Sequence, residues 1–208
     1  MKTFKCTVLL CIAACLITIS EAYAQPSVAL GGKIGASFSG FRGDDAGDVS
    51  FRKGVAGGLF VAISPAGFFT IQPELLFQQR GAVSENKTLN IKSDVKIGYM
   101  NIPVLFKLRL PIAEKFYPHV YIGPQFSYKL KSETSIEAFD LGTITSDINL
   151  RNYDLGGVFG FGLDVEINHL FLTVDFRYAL GALDIEESDD FQIKNKDLSI
   201  MAGAGFKF

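Results

Sequence analysis

From Phe116 to Leu130 the chain alternates without a break. One parity carries Phe116, Pro118, Val120, Ile122, Pro124, Phe126, Tyr128 and Leu130; the other carries Tyr117, His119, Tyr121, Gly123, Gln125, Ser127 and Lys129. Successive side chains of a strand leave opposite faces of the pleat, so a period of two sustained this long marks a strand with one greasy face. The same split runs through Phe69–Gln78, where Phe69, Ile71, Pro73, Leu75 and Phe77 oppose Thr70, Gln72, Glu74, Leu76 and Gln78. It recurs in Leu170–Leu180, Tyr153–Ile167 and Leu198–Phe208, and more loosely in Val95–Arg109, Val28–Phe41 and Phe51–Ile63. Eight strands are expected, at 28–41, 51–63, 67–82, 95–109, 116–131, 153–166, 170–181 and 197–208. Most exceed the roughly five to six residues usual in soluble sheets and suit the roughly 9–11 that cross a bilayer at a tilt.

The gaps alternate as well. Those after the first, third, fifth and seventh strands are 42–50, 83–94, 132–152 and 182–196; those after the second, fourth and sixth are 64–66, 110–115 and 167–169. Short turns at one end and long loops at the other are the pattern of an outer-membrane barrel, with turns in the periplasm and loops outside. Both ends of the exported chain then fall on the periplasmic side. The expected fold is all-β: an eight-stranded antiparallel up-and-down transmembrane β-barrel over residues 25–208, after a cleaved signal peptide at 1–24.

A period of two does not say which face meets lipid. A soluble eight-stranded barrel hides its apolar face inside, where it can bind an apolar ligand, whereas a membrane barrel inverts the arrangement. Three features favour the membrane. The polar parity holds charges of both signs, able to pair in a narrow lumen: Lys33, Glu74, Lys107, Arg109, Asp154, Asp164, Glu166, Asp175, Arg177 and Lys207. Apolar-parity aromatics gather near strand ends, with Phe69, Phe116, Phe206 and Phe208 at the periplasmic level and Phe38, Phe77, Phe126, Tyr128 and Tyr178 at the outer one, like the two aromatic girdles of membrane barrels. The last residue, Phe208, is itself on the outward parity. An apolar face in hydrocarbon also requires the sheet to close, because no water is there to satisfy an open edge.

Lys2 and Lys5, the apolar stretch Cys6–Ile19 and the small-x-small run Ala22-Tyr23-Ala24 read as a secretory signal peptide cleaved before Gln25. A competing site, Ile12-Ala13-Ala14-Cys15, has the form of a lipobox and would lipidate Cys15. All three cysteines, Cys6, Cys11 and Cys15, precede Gln25, so cleavage there leaves a chain without disulfides, thiolate metal sites or a cysteine nucleophile. Loss of Lys2, Lys5 and Glu21 leaves 18 basic and 21 acidic residues, which gives no basic excess for nucleic acid.

Several blocks carry a likeness to a known family. Gly31-Gly32-Lys33-Ile34-Gly35, Gly58-Leu59-Phe60-Val61, Ile71-Gln72-Pro73-Glu74-Leu75-Leu76-Phe77 and Tyr99-Met100-Asn101-Ile102-Pro103-Val104-Leu105-Phe106-Lys107 resemble the PorT-like outer-membrane β-barrel proteins of Bacteroidetes. So do Tyr121-Ile122-Gly123-Pro124, Phe176-Arg177-Tyr178 and the closing Gly205-Phe206-Lys207-Phe208. The resemblance implies an integral outer-membrane location and little about activity. The founding member is associated with protein secretion to the cell surface, which makes an accessory role in a secretion or envelope machine the alternative function. The terminal Phe208 resembles the signal read by the outer-membrane barrel assembly machinery.

Chemistry-bearing residues are few. His119 falls on the lumen parity near the periplasmic start of the fifth strand and His169 in a periplasmic turn, while barrel enzymes resemble one another in working at the outer rim. No Ser/His/Asp constellation is legible around either histidine. Glu74, Lys33, Arg177 and Asp175 are expected to pair inside the barrel, as a structural filling or, alternatively, a gated ion path. Pro73 and Pro103 lack ladder donors and are expected to mark irregular strand positions. The acidic run Asp184, Glu186, Glu187, Asp189 and Asp190 lacks the spacing of a calcium loop and reads as a hydrated surface loop or, alternatively, as oxygen ligands for a divalent cation bridging to lipopolysaccharide phosphates. Asn86-Lys87-Thr88 matches a glycosylation sequon of little weight in a bacterium. Gly160-Phe161-Gly162 has no helix after it and fails as a phosphate motif.

The expected molecule is thus a small outer-membrane barrel with a filled lumen and a structural or surface-interaction role. No catalytic, cofactor-binding or metal residue is assigned. Its expected partners are outer-membrane lipid and lipopolysaccharide, the assembly machinery through the strand ending at Phe208, and a protein partner at the long loops 132–152 and 182–196.

Overall fold

A computed structural model describes residues 26–42, 50–86, 91–112, 114–138, 142–146, 152–183 and 194–208. The signal segment with Cys6, Cys11 and Cys15, the sequon residues Lys87 and Thr88 and the acidic run from Asp184 to Asp190 lie outside the described residues. The strands are β1 (Ser27–Arg42), β2 (Ser50–Ala66), β3 (Phe69–Asn86), β4 (Ile91–Arg109), β5 (Phe116–Ala138), β6 (Gly142–Ser146), β7 (Tyr153–Ile167), β8 (Leu170–Gly181) and β9 (Lys194–Lys207). All pair antiparallel. Consecutive strands pair with one another, save that among the described residues the short β6 pairs with β5 and not with β7, which pairs with β5 past it.

β1 pairs with β9 from Ala29 opposite Lys207 to Arg42 opposite Lys194, which closes an eight-stranded barrel from β1–β5 and β7–β9. Closure removes the edges that a sheet in hydrocarbon cannot leave unpaired. The side-chain parity is as the alternation implies. Ile34 is 71% and Ile122 65% exposed on the outside, while Glu74 at 3% and Lys107 at 1% are buried inside. Phe77, Val120, Val174, Phe176, Ile200 and Phe206 likewise face out. An apolar band that runs round every wall has no soluble counterpart, and hydrocarbon is the solvent that satisfies it.

Strand ends differ from the sequence expectation in one systematic way. The turns at 67–68, 110–115 and 168–169 and both barrel termini share one end, termed here the short-turn end. At the opposite end β3 runs on to Asn86, β4 begins at Ile91 and β5 runs to Ala138 before returning as β6. The segments 83–94 and 132–152, expected as loops, are therefore largely strand. Their polar residues hide the strand signal because a ladder standing clear of the membrane needs no greasy face. Thr134–Ala138 pairs with β6 on one side and with Ile91–Val95 on the other, and Ser84–Asn86 pairs with β4 beyond. One side of the barrel thus projects as a four-stranded sheet, while β7 stops at Tyr153 and β8 at Gly181.

The prolines interrupt the ladder without moving it. The register on either side of Pro73 and Pro103 stays in step, and the shifts fall instead between Phe51 and Ala56, between Ile63 and Ala66 and between Gly98 and Tyr99. The glycines of Gly160-Phe161-Gly162 have a packing reason. A Cβ at Gly160 would lie 2.5 Å from the Tyr121 hydroxyl oxygen, and one at Gly162 would lie 2.6 Å from His119 Nε2. Two large lumen side chains of β5 lie over β7, and only hydrogen fits beneath them.

Candidate functional site

Among the described residues, polar chemistry concentrates in the lumen. Because β1, β3 and β8 alternate strictly, each delivers a charge to the same inner level. Lys33 Nζ lies 2.8 Å from Glu74 Oε1 and 2.5 Å from Asp175 Oδ2. Arg177 completes the set at 2.8 Å from Glu74 Oε2. These four residues, grouped from sequence parity alone, do meet, two of each sign. Charges withdrawn from water need mutual pairing and further hydrogen bonds, and Gln72 adds one by donating to Glu74 Oε1 at 2.7 Å.

Towards the short-turn end a second group follows. Asp164 receives Lys107 at 3.4 Å, Arg109 at 3.2 Å and the Thr173 hydroxyl at 2.7 Å. Glu166 pairs with Arg109 at 2.5 Å and with Lys207 at 2.8 Å. His119 links the two groups, with Nε2 3.0 Å from Asp175 and Nδ1 3.3 Å from Asp164. The sequence placed His119, Asp164 and Asp175 on the lumen parity but not together; they meet because β7 pairs with β5 and β8 with β7, which sets His119 opposite Gly162 and Gly162 opposite Asp175. The imidazole is sealed from solvent, so the arrangement ties two ionic layers together and offers no substrate access. His169 sits exposed in its turn, stacked on Phe206 at 5.6 Å.

The alternation puts Phe171, Met201 and Leu76 on the lumen parity, but sequence reasoning missed how the apolar filling packs. Phe60 and Phe171 point inward and meet edge to face at 5.8 Å. Lys33 lies 5.1 Å from the Phe60 ring centre, and Lys107 lies 6.0 Å from that of Phe171. Val158, Leu105 and Met201 are likewise buried inside. Towards the extended end Gln78 donates to Asp197 at 2.6 Å and accepts from Asn101 at 2.6 Å, with Arg80 packed over Tyr99. Arg80 shares the inward parity of Gln78, so the alternation contained the signal for it. Asn101 Oδ1 is buried there without a hydrogen-bond partner among the described residues.

What the arrangement can do is block. Eight strands enclose a space that side chains fill. The recess at the short-turn end, between Ser64, Gln72, Arg109 and Lys207, measures about 20 Å³, room for a single water. Planar-bilayer recording is expected to show no steady unitary conductance, and a reproducible large conductance would mean that the ionic layers part. Among the described residues no group of three or more His, Cys, Asp or Glu is placed to hold a metal ion.

A family model described as "Outer membrane protein beta-barrel domain" matches residues 23–184. No curated protein matches the chain. Among solved structures, a major outer membrane protein from Thermus thermophilus aligns with a TM-score of 0.50 at 13% identity, over 87% of this chain and 99% of that one. Neisserial surface protein A aligns at 0.48 and 13% identity, over 88% and 99%. The attachment invasion locus protein Ail of Yersinia pestis aligns at 0.44 and 14% identity, over 88% and 99%. At such identities the likeness concerns the fold alone.

Proposed function

This chain belongs to the outer-membrane β-barrel domain family, and on that premise we propose that it is a non-enzymatic integral protein of the outer membrane whose working surface is the extended end. The carrying observation is the inverted barrel with a sealed centre: an apolar exterior around a lumen of interlocked ion pairs. A molecule built this way has no channel to offer and, among the described residues, no solvent-open constellation for catalysis. What it does offer is the sheet formed by the ends of β3, β4 and β5 with β6, standing clear of one side of the wall. A projecting sheet suits a structural or surface-interaction role, with a protein partner at the segments 132–152 and 182–196. In this reading the extended end faces the exterior and the termini face the periplasm.

The PorT-like blocks around Glu74 and Pro103 support placing the chain among the PorT-like proteins of Bacteroidetes. Accessory work in secretion is then tested by deleting the gene and measuring proteins at the cell surface. The main reading has a more direct test. An epitope inserted between Ala138 and Gly142 should be detected on intact cells, and one inserted between Gly67 and Phe68 only after the envelope is opened. The reverse pattern would overturn the orientation. The folded protein should also migrate faster on a denaturing gel before boiling than after, since a closed ladder resists detergent until heated.

A further inference from the structure

We propose that a groove in the outer wall, at the base of the projecting sheet, seats a lipopolysaccharide molecule, with one acyl chain along Phe77 and Leu130 and a phosphate against Lys96 and Lys131. This rests on the reading above, in which the extended end lies in the outer leaflet. The groove has a specific origin. In the β4–β5 ladder Gly98 faces Lys131 and Tyr99 faces Lys129, so Leu130 is left without a partner. Such a bulge breaks the alternation, and both Leu130 and Lys131 are turned outward. Beside them Gly98 holds an outward position with no side chain. The result is an open depression of about 460 Å³, against roughly 10–15 Å³ needed for one water on the same measure, with Phe77 in its lining.

The rim is cationic. Arg52, Lys96 and Lys131 line it, with Glu133 among them and Asp94 alongside. Asp94 is held by Arg52 at 2.8 Å, and Lys96 stands 3.7 Å from it. Lys131 reaches Glu133 at 2.5 Å, but that pair is solvent-exposed, and exposed pairs are held weakly enough for a phosphate to compete. Elsewhere at this level Lys53 sits opposite Phe38, and Lys196 lies 5.1 Å from the Phe51 ring centre. At the short-turn end the outward parity of the described strands carries no Lys or Arg. An apolar lining beside ammonium groups, found in one leaflet only, matches a phosphorylated lipid of that leaflet.

The test uses the full barrel in nanodiscs, with native mass spectrometry to count retained lipid. The probes are phosphorylated lipid A, the same lipid dephosphorylated, and phosphatidylglycerol. Phosphorylated lipid A is expected to be retained at least tenfold better than either of the others. Gly98→Leu should fill the groove and abolish the preference. The nearest atoms to a Cβ there are the Phe77 ring at 3.6 Å and the Lys131 carbonyl oxygen at 3.9 Å, ordinary contacts that leave the backbone in place. Lys96→Ala combined with Lys131→Ala should abolish it as well, both variants keeping the heat-dependent gel shift. Unchanged retention in these variants, or equal retention of the three lipids, overturns the proposal. A native protein lacking the gel shift would instead refute the barrel reading beneath it.

Discussion

Glu74→Ala should destabilise the folded barrel by about 3–5 kcal/mol, the range for removing one partner from a buried ion pair. Glu74 accepts from Lys33 at 2.8 Å on one side and from Arg177 at 3.1 Å on the other. Without it two cations share the single carboxylate of Asp175 in a region with no access to bulk water. The Gln72 amide loses its acceptor as well. Most of the cost is this stranded charge rather than the worth of the pair, and that distinction is testable. Lys33→Met combined with Glu74→Gln leaves Arg177 facing Asp175 with the charge balanced, and should recover a large part of the loss. Urea unfolding in micelles provides the measurement. With no tryptophan in the chain it is followed by far-UV circular dichroism or by gel mobility. A cost below about 1 kcal/mol, typical of an exposed pair, would show that the centre is hydrated.

The second large effect is expected on the opposite face. Val174 is 43% exposed and points outward at mid-strand, level with Leu163 on one side and Ala202 on the other. Val174→Arg should cost about 2–4 kcal/mol when the protein unfolds from lipid vesicles, because the guanidinium is held near the bilayer midplane. Val28→Arg, outward but close to the short-turn end, should cost only about 0–1 kcal/mol, because its charge reaches the interface. This depth dependence is a property of the solvent around the barrel. On a water-soluble barrel both substitutions would be surface changes within about 0.5 kcal/mol. Equal and negligible effects at the two positions would therefore reject the membrane assignment, whatever the fold.

The same pleat explains how much of the molecule was legible beforehand. Glu74 and Phe77 sit three residues apart and face opposite ways. That follows from the chain's own geometry and needs no knowledge of any partner. The grouping of Lys33, Glu74, Asp175 and Arg177 was legible for a related reason, since parity sends all four inward and a narrow barrel leaves them few places to go. The extended end was not legible, because Lys92, Ser93, Glu133 and Ser135 show no greasy face. The bulge at Leu130 was equally hidden. The residues on either side keep good alternation, and the slip appears only in how β5 pairs with β4.

The sequence by itself determined the strand period, the number of barrel strands and which residues share a face, because alternation is a local property of an extended backbone. Only the tertiary structure decided which charges meet, how Phe60 and Phe171 fill the centre, where the register slips and how far β5 outruns β7. Lys33 and Asp175 lie 142 positions apart and come into contact because β1 closes on β9 and β9 lies beside β8. The physical reason is that ring closure, stagger and volume filling are conditions on all eight barrel strands at once, and no single stretch of chain contains them.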